Sequence, residues 1–219
     1  MVFDINAVFD ELKKTRSVFH IEADFQFAMA WAIQKLYPDY HVRLEYSTEQ
    51  KLEGGKRSYV DIMVRNETEY ILIELKYKTK KEVLVDSFTG EVCNLQYHGA
   101  PDLGVYSVLH DLERVENAVI TDMDDYGRKP AAGYSILLTN DKKYTKPFKE
   151  GSMFHHYGFT EGKVFKADKP IAYVFPENTK QEDTCVKNKP EIILKRNHTV
   201  HWQSYSSEIP YMLIFEVKR

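Results

Sequence analysis

Asp61, Glu74 and Lys76 are the residues of this chain whose types and spacing suggest chemistry. They fall in two runs, Ser58 to Arg65 and Tyr70 to Tyr77, that alternate with period two and are rich in β-branched residues. The segment Asn66-Glu67-Thr68-Glu69 separates the runs, so they read as a hairpin that pairs Arg65 with Tyr70. The same register sets Asp61 directly opposite Glu74. Two carboxylates facing each other across strands repel and cost stability. A divalent cation reverses the sign of that interaction. Mg²⁺ suits the pair, because it binds one or two carboxylates and keeps several waters for a phosphate. Lys76 lies two residues beyond Glu74 on the same face, within reach of a bound phosphate or an attacking water.

The alternation that carries these residues also assigns the faces. Val60, Ile62 and Val64 belong with Ile71, Ile73 and Leu75 on an apolar face. Asp61 and Met63 belong with Leu72, Glu74 and Lys76 on the other. Around the hairpin, Phe3 to Leu12 reads as a short amphipathic helix. Glu22 to Leu36 reads as a long one, with Ser17 as an N-cap and Pro38 as its stop. His41 to Tyr46 alternates as a strand, and Glu53-Gly54-Gly55-Lys56 is a loop. Residues 82–93 form a small hairpin around Thr89-Gly90. Pro101 to Val119 carries the apolar stripe of a second long helix, and Tyr134 to Leu138 is a strand of the buried kind. Residues 141–190 show no clear period, and strands return near Ile192–Lys195 and Tyr211–Val217. The expected architecture is mixed α/β: an αβββαβ core over residues 1–140 with a β-rich C-terminal extension, 141–219, packed on it.

On Val60-Asp61 followed by Glu74-Leu75-Lys76 on the next strand, the chain resembles the PD-(D/E)XK nuclease superfamily over roughly residues 17–140. Val60 stands where that motif name has proline. The resemblance implies a restriction-endonuclease-like fold. In it Asp61, Glu74 and the Leu75 carbonyl hold Mg²⁺ (or Mn²⁺) and Lys76 assists the attacking water. It also implies a glutamate from the first long helix, here Glu22, with Asp24 as its rival, and Gln96 as an accessory polar group. The implied activity is metal-dependent hydrolysis of nucleic acid, DNA the expected substrate, with a homodimer as one arrangement. The alternative is a nuclease fold that binds nucleic acid or assembles with little catalysis.

Composition fits these expectations. The 219 residues are 43% hydrophobic and 29% charged, an ordinary globular balance that can bury a core without cross-links. No run approaches the length of a membrane span, and Met1-Val2-Phe3-Asp4 does not open a signal peptide, so a soluble cytoplasmic protein is expected. Cys93 and Cys185 have no metal-ligand spacing. The net charge of −3 speaks against bulk attraction to nucleic acid, so any contact must be local. Two lysine clusters offer it: Lys76, Lys78, Lys80 and Lys81, then Lys142, Lys143, Lys146 and Lys149 with Tyr144 and Phe148. The second reads equally as a backbone path or as a solvated loop. His155-His156, read on a strand, point to opposite faces and make a poor chelate.

Overall fold

The computed structural model describes residues 2–51, 57–121, 127–175 and 189–219. The expected Glu53–Lys56 loop and Cys185 lie outside the described residues. Helix α1 spans Ile5–Leu12 and is capped by Asp4, whose carboxylate accepts from Asn6 N at 2.9 Å. Helix α2 spans Glu22–Leu36 as its periodicity predicts. Ser17 is not its N-cap. It lies too far upstream, and its amide and hydroxyl go to Asp86.

Strand β1 is His41–Lys51, β2 Arg57–Arg65 and β3 Glu69–Lys78. The β2–β3 turn is held by Asn66, whose Oδ1 accepts from both Thr68 N and Glu69 N at 2.9 Å. Strands β4 (Glu82–Val85) and β5 (Val92–Leu95) form the small hairpin, with Gly90 at φ +72° in its turn. Helix α3 is Pro101–Thr121 and β6 is Lys129–Thr139, longer than its apolar stretch suggests. Short strands follow: β7 (Val164–Phe165), β8 (Pro170–Ile171), β9 (Ile192–Ile193), β10 (His198–Thr199) and β11 (Trp202–Gln203). The last strand is β12 (Tyr211–Lys218). His155 and His156 belong to a short 3-10 turn, not a strand, and their rings lie 5.0 Å apart.

The fold is mixed α/β. Among the described residues a six-stranded sheet runs β1-β2-β3-β6-β12-β11. All neighbours are antiparallel except β3 and β6, which are parallel and joined through the small hairpin and α3. One face packs Ile62, Val64, Ile71, Ile73 and Leu75 against α1 and α2. The other packs Leu137, Leu213, Phe215 and Val217 against α3 and the aromatic segment 154–165. Each fully buried aliphatic or Phe side chain here contributes ~1.5–3 kcal/mol. Strand β12 therefore completes the sheet itself and places residues in both cores. Val105, Leu109, Leu112 and Val119 make the main stripe of α3. Asp111, Arg114 and Ala118, at i, i+3 and i+7, make a second stripe on the same helix; Ala118 packs against Val60, Met63 and Leu72. No described helix is long and apolar enough to cross a membrane.

Candidate metal and phosphate site

The β2–β3 ladder follows the expected register from Arg65↔Tyr70 to Ile62↔Ile73 and ends there, one step short of Asp61 and Glu74. The β1–β2 ladder is interrupted at the same place: Leu44 pairs with Ile62 and Tyr46 with Val60, but Glu45 and Asp61 are skipped. Glu45 has a left-handed backbone, φ +49°. From α2, Gln26 Nε2 enters this break and donates to the Asp61 carbonyl at 2.8 Å and to Glu45 Oε1 at 2.9 Å. The irregularity corrects the expected faces. Val60 packs with Met63 and Leu72, not with Ile62, because strict alternation fails at Asp61.

The opened edge of β3 is closed by carboxylates. Asp61 Oδ2 accepts from Leu75 N at 2.6 Å, and Glu22 Oε2 accepts from Tyr77 N at 2.8 Å. These amides are two residues apart, so they leave the strand on one side, and the Leu75 carbonyl leaves with them. That carbonyl accepts from Lys76 Nζ at 3.1 Å. Asp61, Glu22, Lys76 and the Leu75 carbonyl thus gather where β2 and β3 part. The structure brings Glu22 and not Asp24 to this edge: Asp24 turns away to Arg16 Nη1 (2.7 Å) and His20 N (3.0 Å).

Glu74 and Lys76 meet α3. Lys76 Nζ lies 2.7 Å from Asp111 Oδ2, Asp111 Oδ1 lies 3.0 Å from Arg114 Nη1, and Arg114 Nη2 lies 2.9 Å from Glu74 Oε1. Four alternating charges therefore link one helical turn to one strand repeat. Arg114 also donates to Ser58 Oγ at 3.1 Å and to the Tyr59 carbonyl, tying α3 to β2. Glu74 Oε1 and Asp111 Oδ2 are buried and make no aligned hydrogen bond among the described residues, so their cationic neighbours hold them by charge. Sequence reasoning missed Asp111 and Arg114. Their signal was an opposite-charge i, i+3 pair among Val108, Leu109, Leu112 and Val115.

Burial raises the Asp61 pKa, the Leu75 amide opposing it in part. Burial, then the Asp111 charge, raises that of Glu74 well above the usual carboxylate range. Burial works against the Lys76 charge, but Asp111 and Glu22 outweigh it, so its pKa is raised and it stays an ammonium at neutral pH. Carboxyl groups of Asp61, Glu74 and Asp111 outnumber the cations of Lys76 and Arg114, and a divalent cation would favour the ionised forms of Asp61 and Glu74 that burial disfavours. Among the described residues no group of three His, Cys, Asp or Glu side chains is placed as a ready metal cage. The donor chemistry of Asp61, Glu74 and the Leu75 carbonyl, all oxygen, nevertheless fits a hard ion that needs few protein ligands.

Gln96 enters through its backbone: its carbonyl accepts from Thr79 Oγ1 at 2.6 Å, and its exposed side chain is not brought to Asp61 or Glu74 by any described contact. Tyr144 is buried, so it is no stacking ring beside the second lysine cluster. Compared with known proteins, the chain matches no family model, no curated protein and no solved structure.

Proposed function

We propose that this protein is a metal-dependent nuclease of the restriction-endonuclease-like kind, acting in the cytoplasm on phosphodiester bonds of nucleic acid, with DNA the expected substrate. The observation that carries the reading is the opening of the hairpin at Asp61, where a carboxylate, the Leu75 carbonyl and the Lys76 ammonium meet beside buried Glu74. Asp61, Glu74 and the Leu75 carbonyl would hold Mg²⁺ or Mn²⁺, which supplies positive charge to the phosphate and makes water more acidic at neutral pH. Lys76 keeps its proton, so its part is donation: it holds a phosphoryl oxygen or orients the water for in-line attack, and is not the base. Glu22 steadies the β3 edge through Tyr77 N.

The test is a cleavage screen with Mg²⁺ and with Mn²⁺ against supercoiled, linear, single-stranded and branched DNA. Asp61→Ala and Lys76→Ala should abolish the activity while the chain stays folded. Wild-type rates in either variant would overturn the reading.

The ring Glu74–Arg114–Asp111–Lys76 favours a second reading, because it balances its own charges. On that reading the fold binds or assembles with little catalysis. Mg²⁺ would then leave the melting temperature unchanged, whereas an ion held at 100 times its Kd adds about 2.7 kcal/mol.

A further inference from the structure

The two lysine clusters, distant in sequence, meet at one end of the sheet. Strands β3 and β6 are parallel and Lys78 pairs with Thr139, so the residues that follow each strand emerge side by side. At that end Lys80 N donates to Asn140 Oδ1 at 2.9 Å. The segment before α3 lies there too: His98 N donates to the Thr79 carbonyl at 2.9 Å, and Lys143 Nζ stands 5.5 Å from the centre of the exposed Tyr97 ring.

Beyond Lys143 a cleft of about 410 Å³ opens between the start of α3 and the segment 143–154. Pro101, Phe148 and Met153 form apolar walls, and three exposed lysines, Lys143, Lys146 and Lys149, line it with a single carboxylate, Asp102. Among the described residues no carboxylate pairs with Lys142, Lys143, Lys146 or Lys149, whereas Lys78 and Lys80 face Glu22 and Glu82. The acids beside them are otherwise placed. Asp141 accepts from Lys143 N at 2.9 Å and Asp102 from Leu103 N at 2.9 Å, while Glu150 is exposed. Free ammoniums around an apolar slot complement a ligand with a flat apolar body and an anionic backbone. A volume in the small-ligand range of roughly 300–1,000 Å³ admits one nucleotide.

We propose that this cleft binds an unpaired nucleotide of a nucleic-acid strand, with flanking phosphates on Lys143, Lys146 and Lys149. The strand then passes over Tyr97 and Lys78 toward Asp61. A duplex keeps its bases stacked inside, so the cleft selects single-stranded or frayed substrate. The path to Asp61 rests on the nuclease reading; occupancy of the cleft does not.

The test is fluorescence anisotropy with the full chain in metal-free buffer, using a labelled oligothymidine of about twelve nucleotides and a duplex of equal length. The reversal K143E/K146E/K149E should weaken strand binding at least ~30-fold and lower the slope of log affinity against log salt by about two, at roughly 0.7 per phosphate contact. Phe148→Ala should weaken strand binding about tenfold and leave duplex binding unchanged; Phe148→Leu serves if the alanine variant does not fold. An unchanged salt slope in the triple variant, or equal losses on strand and duplex for Phe148→Ala, overturns the proposal. Wild-type binding of the strand with no cleavage of any DNA in the Mg²⁺ and Mn²⁺ screen overturns the nuclease reading and leaves the cleft standing.

Discussion

Asp61 accepts the backbone N–H of Leu75, 14 positions along the chain, at 2.6 Å, taking with its carboxylate the place that a continued strand would have filled. The side chain therefore carries both a structural and a chemical load, and two substitutions separate them. Asp61→Asn keeps an oxygen for Leu75 N but loses the charge. It should fold with near-native stability and lose at least about 100-fold in cleavage rate. Asp61→Ala orphans a partly buried amide as well, and urea denaturation should show a further cost of ~1–3 kcal/mol. Equal stability of the two variants would contradict the structural half of this account.

Arg114 neutralises two buried carboxylates, Glu74 and Asp111. Arg114→Met should cost roughly 3–5 kcal/mol, because it leaves charge uncompensated in a dry site. Adding Glu74→Gln to the same chain should recover part of that loss, since a neutral amide needs no counter-ion. A double-mutant cycle by denaturant titration checks the coupling, and strict additivity would refute it.

Glu22 and Asp24 share a helix turn but not a site. Glu22→Ala should reduce cleavage about tenfold or more, because it releases Tyr77 N and loosens the β3 edge. Asp24→Asn, which touches Arg16 and His20 N, should leave the rate within about twofold of wild type. Single-turnover rates at saturating Mg²⁺ measure both.

Tyr144 buries a hydroxyl that has no hydrogen-bond partner among the described residues. Tyr144→Phe should be neutral or stabilising by about 1 kcal/mol. Gly104 exists to admit that ring: an added Cβ would stand 2.2 Å from Tyr144 Oη. Gly104→Ala should therefore destabilise by ~1–3 kcal/mol, and less in a Tyr144→Phe background, as read from thermal melts.

Lys163 sits over the Phe165 ring at 4.6 Å and donates to the carbonyls of His156 (2.5 Å) and Gly158 (2.9 Å). Burial lowers its pKa to about 8. Between that value and the ordinary lysine value, the unfolded chain binds the proton and the folded one does not. Stability contributed by this group therefore rises as pH climbs from about 8 toward 10. Relative to Lys163→Met, the wild-type melting temperature should increase from pH 7.5 to pH 9.5; a constant difference between the two would refute the assignment.

Much of this protein was legible in its residues because strand and helix periods are local. The hairpin register as far as Ile62, α2, α3 and a buried strand at Tyr134–Leu138 followed from alternation and apolar stripes, and Asp61, Glu74 and Lys76 stood out by type and spacing; that this strand runs parallel to β3 came from the structure. The break at Asp61 did not follow. It depends on Gln26 reaching from another element into the ladder, which no period within Ser58–Arg65 records. Asp111 and Arg114 were not singled out in the sequence, because only the packing of α3 on β3 makes them buried partners of Lys76 and Glu74. Which residues could do chemistry was decided by the chain's own order. Which charges face one another, and so what each holds, was decided only by packing, because electrostatic energy depends on distance and burial and not on separation along the chain.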